Sequence, residues 1–334
     1  MKKRLIALFC AALMMLTLVA CGSGDDTASD PTPTPDDTTT PEVETYTVGI
    51  CQLVQHDALD AATQGFMDAL NEALPGQVEF DNQNASNDIP MCSTIVNQFV
   101  SSEVDLILAN ATPALQAAAA ATVDIPILGT SVTEYGVALG IDGFDGTVGG
   151  NISGTSDLAP LDEQSAMLQE WFPDAENVGL LYCSAEANSQ YQVDVVKAEL
   201  EALGYTCEYY SFSDSNDLAA VVESAVAECD VIYVPTDNTV ASNTGIIDNI
   251  CQPAGIPVIT GEEGICAGCG VATLSISYYD LGVATGKMAA KILTGEADIS
   301  EMPVEYAPDF VKKYNPTICE TLGLTPPEGY VAIG

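Results

Sequence analysis

The sequence predicts an α/β protein made of two Rossmann-like, doubly wound lobes with a ligand cleft between them. Three observations lead there. From Tyr46 onward, short β-branched runs alternate with longer segments of helical spacing. The strand-like runs are apolar throughout instead of alternating, which marks strands covered on both faces, as in parallel sheets. The whole pattern then occurs twice.

In the first copy, strands are expected at Thr47–Leu53, Val78–Asp81, Val104–Ala109 and Ile125–Leu128. Helices are expected near Leu59–Ala73, Met91–Val100 and Pro113–Ala121. The second copy has strands at Val178–Cys183, Thr206–Phe212, Val231–Val234 and Val258–Thr260, with helices near Val193–Leu203, Leu218–Ala227 and Asn243–Gln252. Spacing supports a duplication. Gly49 precedes Asp88 by 39 positions and Gly179 precedes Asp217 by 38; Gly49 to Pro126 is 77 positions and Gly179 to Pro257 is 78. The offset between copies is about 130 residues. "DGFDGTVGGNISG" (Asp142–Gly154) follows no strand-to-helix pattern and reads as the crossover between lobes.

Open α/β sheets place ligands beyond the carboxyl ends of their strands, so matched strand ends read out the cleft wall. Thr112 stands seven residues after Asp105, and Asp237 seven after Asp230. Ser131 stands five after Pro126, and Glu262 five after Pro257. Gln52 pairs with Tyr182 in the same way. The first lobe offers hydroxyls and an amide, while the second offers carboxylates. A zwitterion requires that asymmetry, since an acid holds an ammonium and hydroxyls hold a carboxylate. Asp237 and Thr112 each have a second reading as helix N-caps, and Glu262 as an exposed loop carboxylate.

The N-terminus has a basic start (Lys2, Lys3, Arg4), an apolar run from Leu5 to Ala20, and Cys21 after a small residue. The run is short for a membrane span and describes a secretory leader over 1–20. It resembles a bacterial lipobox, in which Cys21 carries the lipid; an ordinary leader with an incidental cysteine is the other reading. Residues 21–45 are rich in Pro, Thr and Asp, too polar to fold, and suit an extended tether.

The chain has 48 acidic and 8 basic residues. Cleavage before Cys21 leaves Lys197, Lys287, Lys291, Lys312 and Lys313 as the only basic residues, with no arginine. Nucleic-acid binding needs clustered cations and is excluded on that ground. An arginine clamp on a phosphate or carboxylate ligand is excluded as well. Of 11 cysteines, nine follow Cys21. Cys266 and Cys269 have CxxC spacing with no second pair, which argues against a closed zinc site and leaves a local disulfide or free thiols. No catalytic set is present: phosphate loops are missing, and the lone histidine, His56, has no nucleophile partner. His56 reads as a cleft residue or a structural one. Neither metal nor cofactor is expected.

"VGICQLVQHDALDAATQGFMDAL" (Val48–Leu70), "YCSAEANSQ" (Tyr182–Gln190), "VIYVPTDNTVAS" (Val231–Ser242) and "VATLSISYYDLGVATGKMAAKILTG" (Val271–Gly295) resemble the ABC transporter substrate-binding lipoproteins of the tryptophan/tyrosine-associated family. The likeness runs from about Tyr46 to Pro326. It implies the type I periplasmic-binding-protein fold, with three crossovers between lobes that close on ligand. Lobe 1 is then 46–153 plus 277–303, and lobe 2 is 154–276 plus 304–334. Motif positions carried over as ligand-binding are Gln52, Thr112, Ser131, Thr133, Ser184, Asn188 and Asp237. Glu262 joins them from the repeat pairing. Asn188 also suits a helix cap, and Tyr278 and Tyr279 suit hinge packing more than ligand stacking. The sequence departs from the family pattern at Glu134, where Asp-Pro is expected.

These features together imply a monomeric, lipid-anchored capture protein for an amino acid, aromatic or branched, that docks on an ABC permease. A ligand-sensing domain, or a binder of nucleosides or other small solutes, is the alternative. An extracellular enzyme lacks its nucleophile–base pair.

Overall fold

The apolar runs become strands because both of their faces are covered. In the computed structural model, which describes residues 45–334 apart from 308, β3 (Leu106–Asn110) illustrates this. Leu106 and Leu108 pack into one core cluster, and Ile107 and Ala109 into another on the opposite face. The expected leader, Cys21 and the expected tether as far as residue 44 lie outside the described residues.

In chain order the first lobe contains β1 (Tyr46–Gln52), α1 (Asp57–Ala73), β2 (Val78–Asn84), α2 (Ile89–Ser101), β3, α3 (Thr112–Ala121), β4 (Ile127–Val132), the short α4 (Tyr135–Leu139) and β5 (Ile152–Ser156). The second continues with α5 (Leu161–Trp171), β6 (Asn177–Cys183), α6 (Ala187–Leu203), β7 (Thr206–Phe212), α7 (Ser215–Glu228), β8 (Val231–Val234), α8 (Asn238–Ala241), α9 (Thr244–Ala254), β9 (Val258–Thr260), α10 (Glu263–Cys269) and β10 (Ala272–Ser275). The chain then returns to the first lobe with α11 (Tyr278–Leu293) and β11 (Glu305–Tyr306), and ends in the second with β12 (Val311–Tyr314), α12 (Pro316–Leu322) and β13 (Val331–Ala332).

The first sheet has order β11-β5-β4-β3-β1-β2, with every pairing parallel. The second has order β13-β12-β10-β9-β8-β6-β7, parallel except where β12 runs against β10. The duplicated unit is therefore real: β1-α1-β2-α2-β3-α3-β4 is matched by β6-α6-β7-α7-β8 and then α8, α9 and β9. In β8, Val231 and Tyr233 enter one core cluster while Ile232 and Val234 enter its opposite.

Local chemistry sets the helix ends. Asp88 caps α2 by accepting from the Met91 N–H, Asp214 caps α7, and Ser277 caps α11. Gly204, Gly255 and Gly323 end α6, α9 and α12 in the left-handed conformation.

Two boundaries differ from the expected ones. β5 belongs to the first sheet, so that lobe continues to Ser156, past the expected 153. β11 pairs with β5, so the last return to the second lobe follows Tyr306, later than the expected 303. Both strands are short edge or near-edge elements whose pairing carries no repeat signal. The Gly-rich segment Asp142–Gly154 is likewise not a crossover: it loops back into β5 of its own lobe. No helix among the described residues is long and apolar enough to cross a membrane.

Candidate functional site

The carboxyl ends of the central strands of both sheets face each other across a cleft, as the doubly wound topology requires. Between them lies a narrow, polar-lined space of about 280 Å³, part of it open to solvent. Its polar lining comes from His56, Ser131 and Thr133 of the first lobe, Asp157 and Tyr278 at the crossovers, and Asn188, Thr236, Asp237, Asn238 and Glu262 of the second. No lysine or arginine is among these residues.

Of the residues expected from sequence, five converge on the cavity: Ser131, Thr133, Asn188, Asp237 and Glu262. Three do not line it. Gln52 is buried at the end of β1, but its amide is consumed locally: Nε2 donates to Val54 O at 2.8 Å and Asp60 Oδ1 at 2.6 Å, and Oε1 accepts from Thr63 Oγ1 at 2.7 Å. Ser184 is exposed and donates to Phe212 O at 3.0 Å. Thr112 is buried, yet it is not the cap of α3; Ala111 takes that place at φ +95°. Tyr182, the repeat partner of Gln52, packs edge-on to Tyr209 in the core.

Asp237 sits at the N-cap of α8. Its Oδ1 accepts from the Val240 N–H at 2.8 Å and its Oδ2 from the Cys183 N–H at 2.7 Å. Capping is thus its first role, and the cavity receives what lone-pair capacity remains. Glu262 caps α10 in the same manner, accepting from the Gly264 N–H at 2.7 Å and from the Ile265 N–H. It is buried, where an exposed loop carboxylate was the alternative expectation. Burial pushes both acids up to about 7, against the pull of these N–H bonds; the Glu186 carboxylate adds to the rise at Asp237.

Asp157, which the sequence reading missed, differs from both. It follows β5 directly, is 4 % exposed, and accepts at Oδ2 from Tyr278 Oη at 2.9 Å. Its Oδ1 is buried with no hydrogen-bond partner. Burial raises its affinity for a proton, and the hydroxyls of Tyr278 and Thr133 oppose that rise. Tyr278 packs at a crossover as expected, and it also reaches the site through this bond. Tyr279 points outward to Asp68.

Ser131 adds a second signal. It is a non-glycine residue at φ +54°, buried, and its Oγ has no partner. Strain of that kind is held only where surrounding structure dictates it, and it concentrates at functional positions. Asn188 Oδ1 is unpartnered as well, while its Nδ2 donates to Thr236 O at 3.1 Å. Three of the unpaired buried polar atoms, on Ser131, Asp157 and Asn188, therefore belong to lining residues of one cavity. Buried polar atoms are almost always paired, so these three stand out among the described residues.

His56 and Asn87 connect the lobes. His56 Nε2 lies 3.2 Å from Asn238 Oδ1, and Asn87 Nδ2 donates to Thr239 Oγ1 at 3.1 Å. All nine described cysteines are free and buried, Cys266 and Cys269 among them, so no local disulfide forms on α10. No cluster of metal-ligating side chains occurs among the described residues.

The family model described as ABC transporter substrate binding protein matches residues 47–332. A tyrosine-binding protein of Clostridioides difficile (strain R20291) is 36% identical over 260 residues, covering 77% of this chain and 75% of that one. A Streptococcus pneumonia domain solved in complex with L-Trp superposes with a TM-score of 0.82 at 32% identity, covering 87% of this chain and 100% of that one. A ligand-free, open substrate-binding protein with adhesive properties from Clostridium difficile gives a TM-score of 0.66 at 38% identity, covering 86% and 99%. These are solute-binding proteins of the type I periplasmic-binding-protein fold, not enzymes. On its fold, its cleft and a family match across nearly the whole described domain, the chain belongs to the ABC transporter substrate binding proteins.

Proposed function

We propose that this protein captures an aromatic amino acid outside the cytoplasm and presents it to an ABC permease, tethered to the membrane through a lipid on Cys21. The observation that carries the ligand class is the cavity's charge. Asp157, Asp237 and Glu262 line one small buried space with no cation of the chain among the residues around it. Buried carboxylates persist when something compensates them, and the ammonium of an amino acid supplies that compensation. Asp157 Oδ1, unpaired and buried, is the acceptor for the ammonium. The unpaired Ser131 hydroxyl is a donor for the ligand carboxylate, which meets no arginine here. The aromatic side chain is suggested by the ligands of two relatives, a tyrosine-binding protein and a domain bound to L-Trp.

A thermal-shift panel of amino acids, nucleosides and sugars on the purified domain tests this reading. A ligand present at about 100 times its Kd raises stability by about 2.7 kcal/mol. L-tyrosine or L-tryptophan is expected to give the largest rise. A rise with a sugar or nucleoside and none with any amino acid would overturn it.

A further inference from the structure

Glu186 does not line the cavity, yet it is 2 % exposed and its carboxylate is fully engaged at the start of α8. Oε2 accepts from Asn238 N at 3.1 Å and Asn238 Nδ2 at 2.7 Å; Oε1 accepts from Thr239 N at 2.9 Å and Thr239 Oγ1 at 2.8 Å. Glu186 accepts in all four bonds, and this fixes the direction of everything beyond it. Asn238 must turn its amide nitrogen to Glu186 and so presents Oδ1 to His56 Nε2, which is then the donor. Thr239 spends its hydroxyl proton on Glu186 and so offers a lone pair to Asn87 Nδ2. Both cross-cleft hydrogen bonds thus join the first lobe to two consecutive residues that a single carboxylate orients. On the first-lobe side, Ser86 and Asn87 adopt φ +56° and +62°, a pair of left-handed residues that costs conformational energy.

We propose that Glu186 is a positioning residue for ligand capture: acting through Asn238 and Thr239, it builds a latch to His56 and Asn87 that exists only when the lobes are closed. Opening the cleft separates the latch partners, because His56 and Asn87 move with one lobe while Asn238 and Thr239 move with the other. The bonds therefore contribute to the closed state alone. The fold agrees with a closed chain: it matches the L-Trp complex at a TM-score of 0.82 and the open, ligand-free structure at 0.66, although sequence identity is higher to the latter. Closure-specific bonds slow ligand escape without changing encounter with the open form.

Asn87→Gly is the cleanest test, since glycine accepts the positive φ and removes only the latch donor; Glu186→Gln probes the orienting carboxylate, whose replacement amide has one accepting oxygen and cannot serve both the Asn238 and the Thr239 donors. Two readouts are paired. Small-angle scattering of the ligand-free protein is expected to give a larger radius of gyration for both variants than for the wild type. Stopped-flow binding of L-tyrosine or L-tryptophan is expected to show dissociation about 2- to 10-fold faster for Asn87→Gly, the loss of about one hydrogen bond, with association unchanged. The kinetic arm rests on the capture reading above, whereas the scattering arm needs no ligand, so the two ideas fail separately. Unchanged scattering together with unchanged dissociation in Asn87→Gly would overturn the latch, as would a slowed association with normal dissociation.

Discussion

Asp157 and Asp237 are both buried acids lining the same cavity, and they do different things because of what already occupies their oxygens. Asp237 uses both to accept backbone N–H bonds, one of them from Cys183 in a neighbouring strand. Asp157 keeps one oxygen unpaired. Asp157→Asn is therefore expected to weaken binding of the amino-acid ligand by about 2 kcal/mol or more, the cost of removing one side of a buried charge pair, when measured by titration calorimetry. Asp237→Asn is expected to lower folding stability by about 1–3 kcal/mol, because an amide cannot accept from both Val240 and Cys183. Chemical denaturation checks this, and an unchanged midpoint would contradict the capping role. Strand-end spacing in the duplicated sequence was enough to reach Asp237, Glu262 and Ser131. It could not reach Asp157 or Tyr278, which lie at crossovers outside the repeat. Nor could it reveal that Gln52, at an equivalent strand end, spends its amide on Asp60, Thr63 and Val54.

At the level of elements, the site depends on how closely α1 and α11 cross. A Cβ added at Gly282 would stand 2.0 Å from Ala62 O, and one at Gly65 would stand 2.1 Å from Tyr279 O. Backbone meets backbone at this crossing. Tyr278, at the start of α11, packs with Ala58 and Ala62 of α1, so the crossing helps to fix this lining residue. Gly282→Ala is expected to destabilise the protein by about 1–3 kcal/mol through overpacking and to weaken ligand binding as Tyr278 shifts away from Asp157. Thermal unfolding and a binding titration check the two effects. The sequence made α1 and α11 legible as helices through their apolar spacing. Their close approach was not legible, since a glycine in a helix signals contact without naming the partner.

For the whole molecule, the second lobe carries Asp237 and Glu262 to one wall of the cavity, and their raised proton affinity makes binding depend on pH. In the folded protein Asp237 and Glu262 stand near 7, against ordinary values of 3.8 and 4.5. Near and below pH 7 each therefore holds part or all of a proton. A bound ammonium favours the ionised carboxylates and drives those protons off, so affinity rises as pH increases from about 5 to about 7 and then levels. Calorimetry at pH 6 in buffers of different ionisation heat is expected to show net proton release on binding; uptake, or no exchange, would contradict it. Domain order, duplication and the opposed cleft were legible because both copies keep the same strand and helix spacing. The lobe boundaries at β5 and β11 were not, because short edge strands pair according to tertiary context.

On the proposed function, the carboxylate-lined cavity recognises an α-ammonium group. The most direct measurement compares, on one preparation, the affinity for L-tyrosine with that for 3-(4-hydroxyphenyl)propionate, which keeps the ring and carboxylate and lacks only the amine. L-tyrosine is expected to bind at least about 30-fold more tightly, the effect of one buried charge pair. Equal affinity for the two would contradict it.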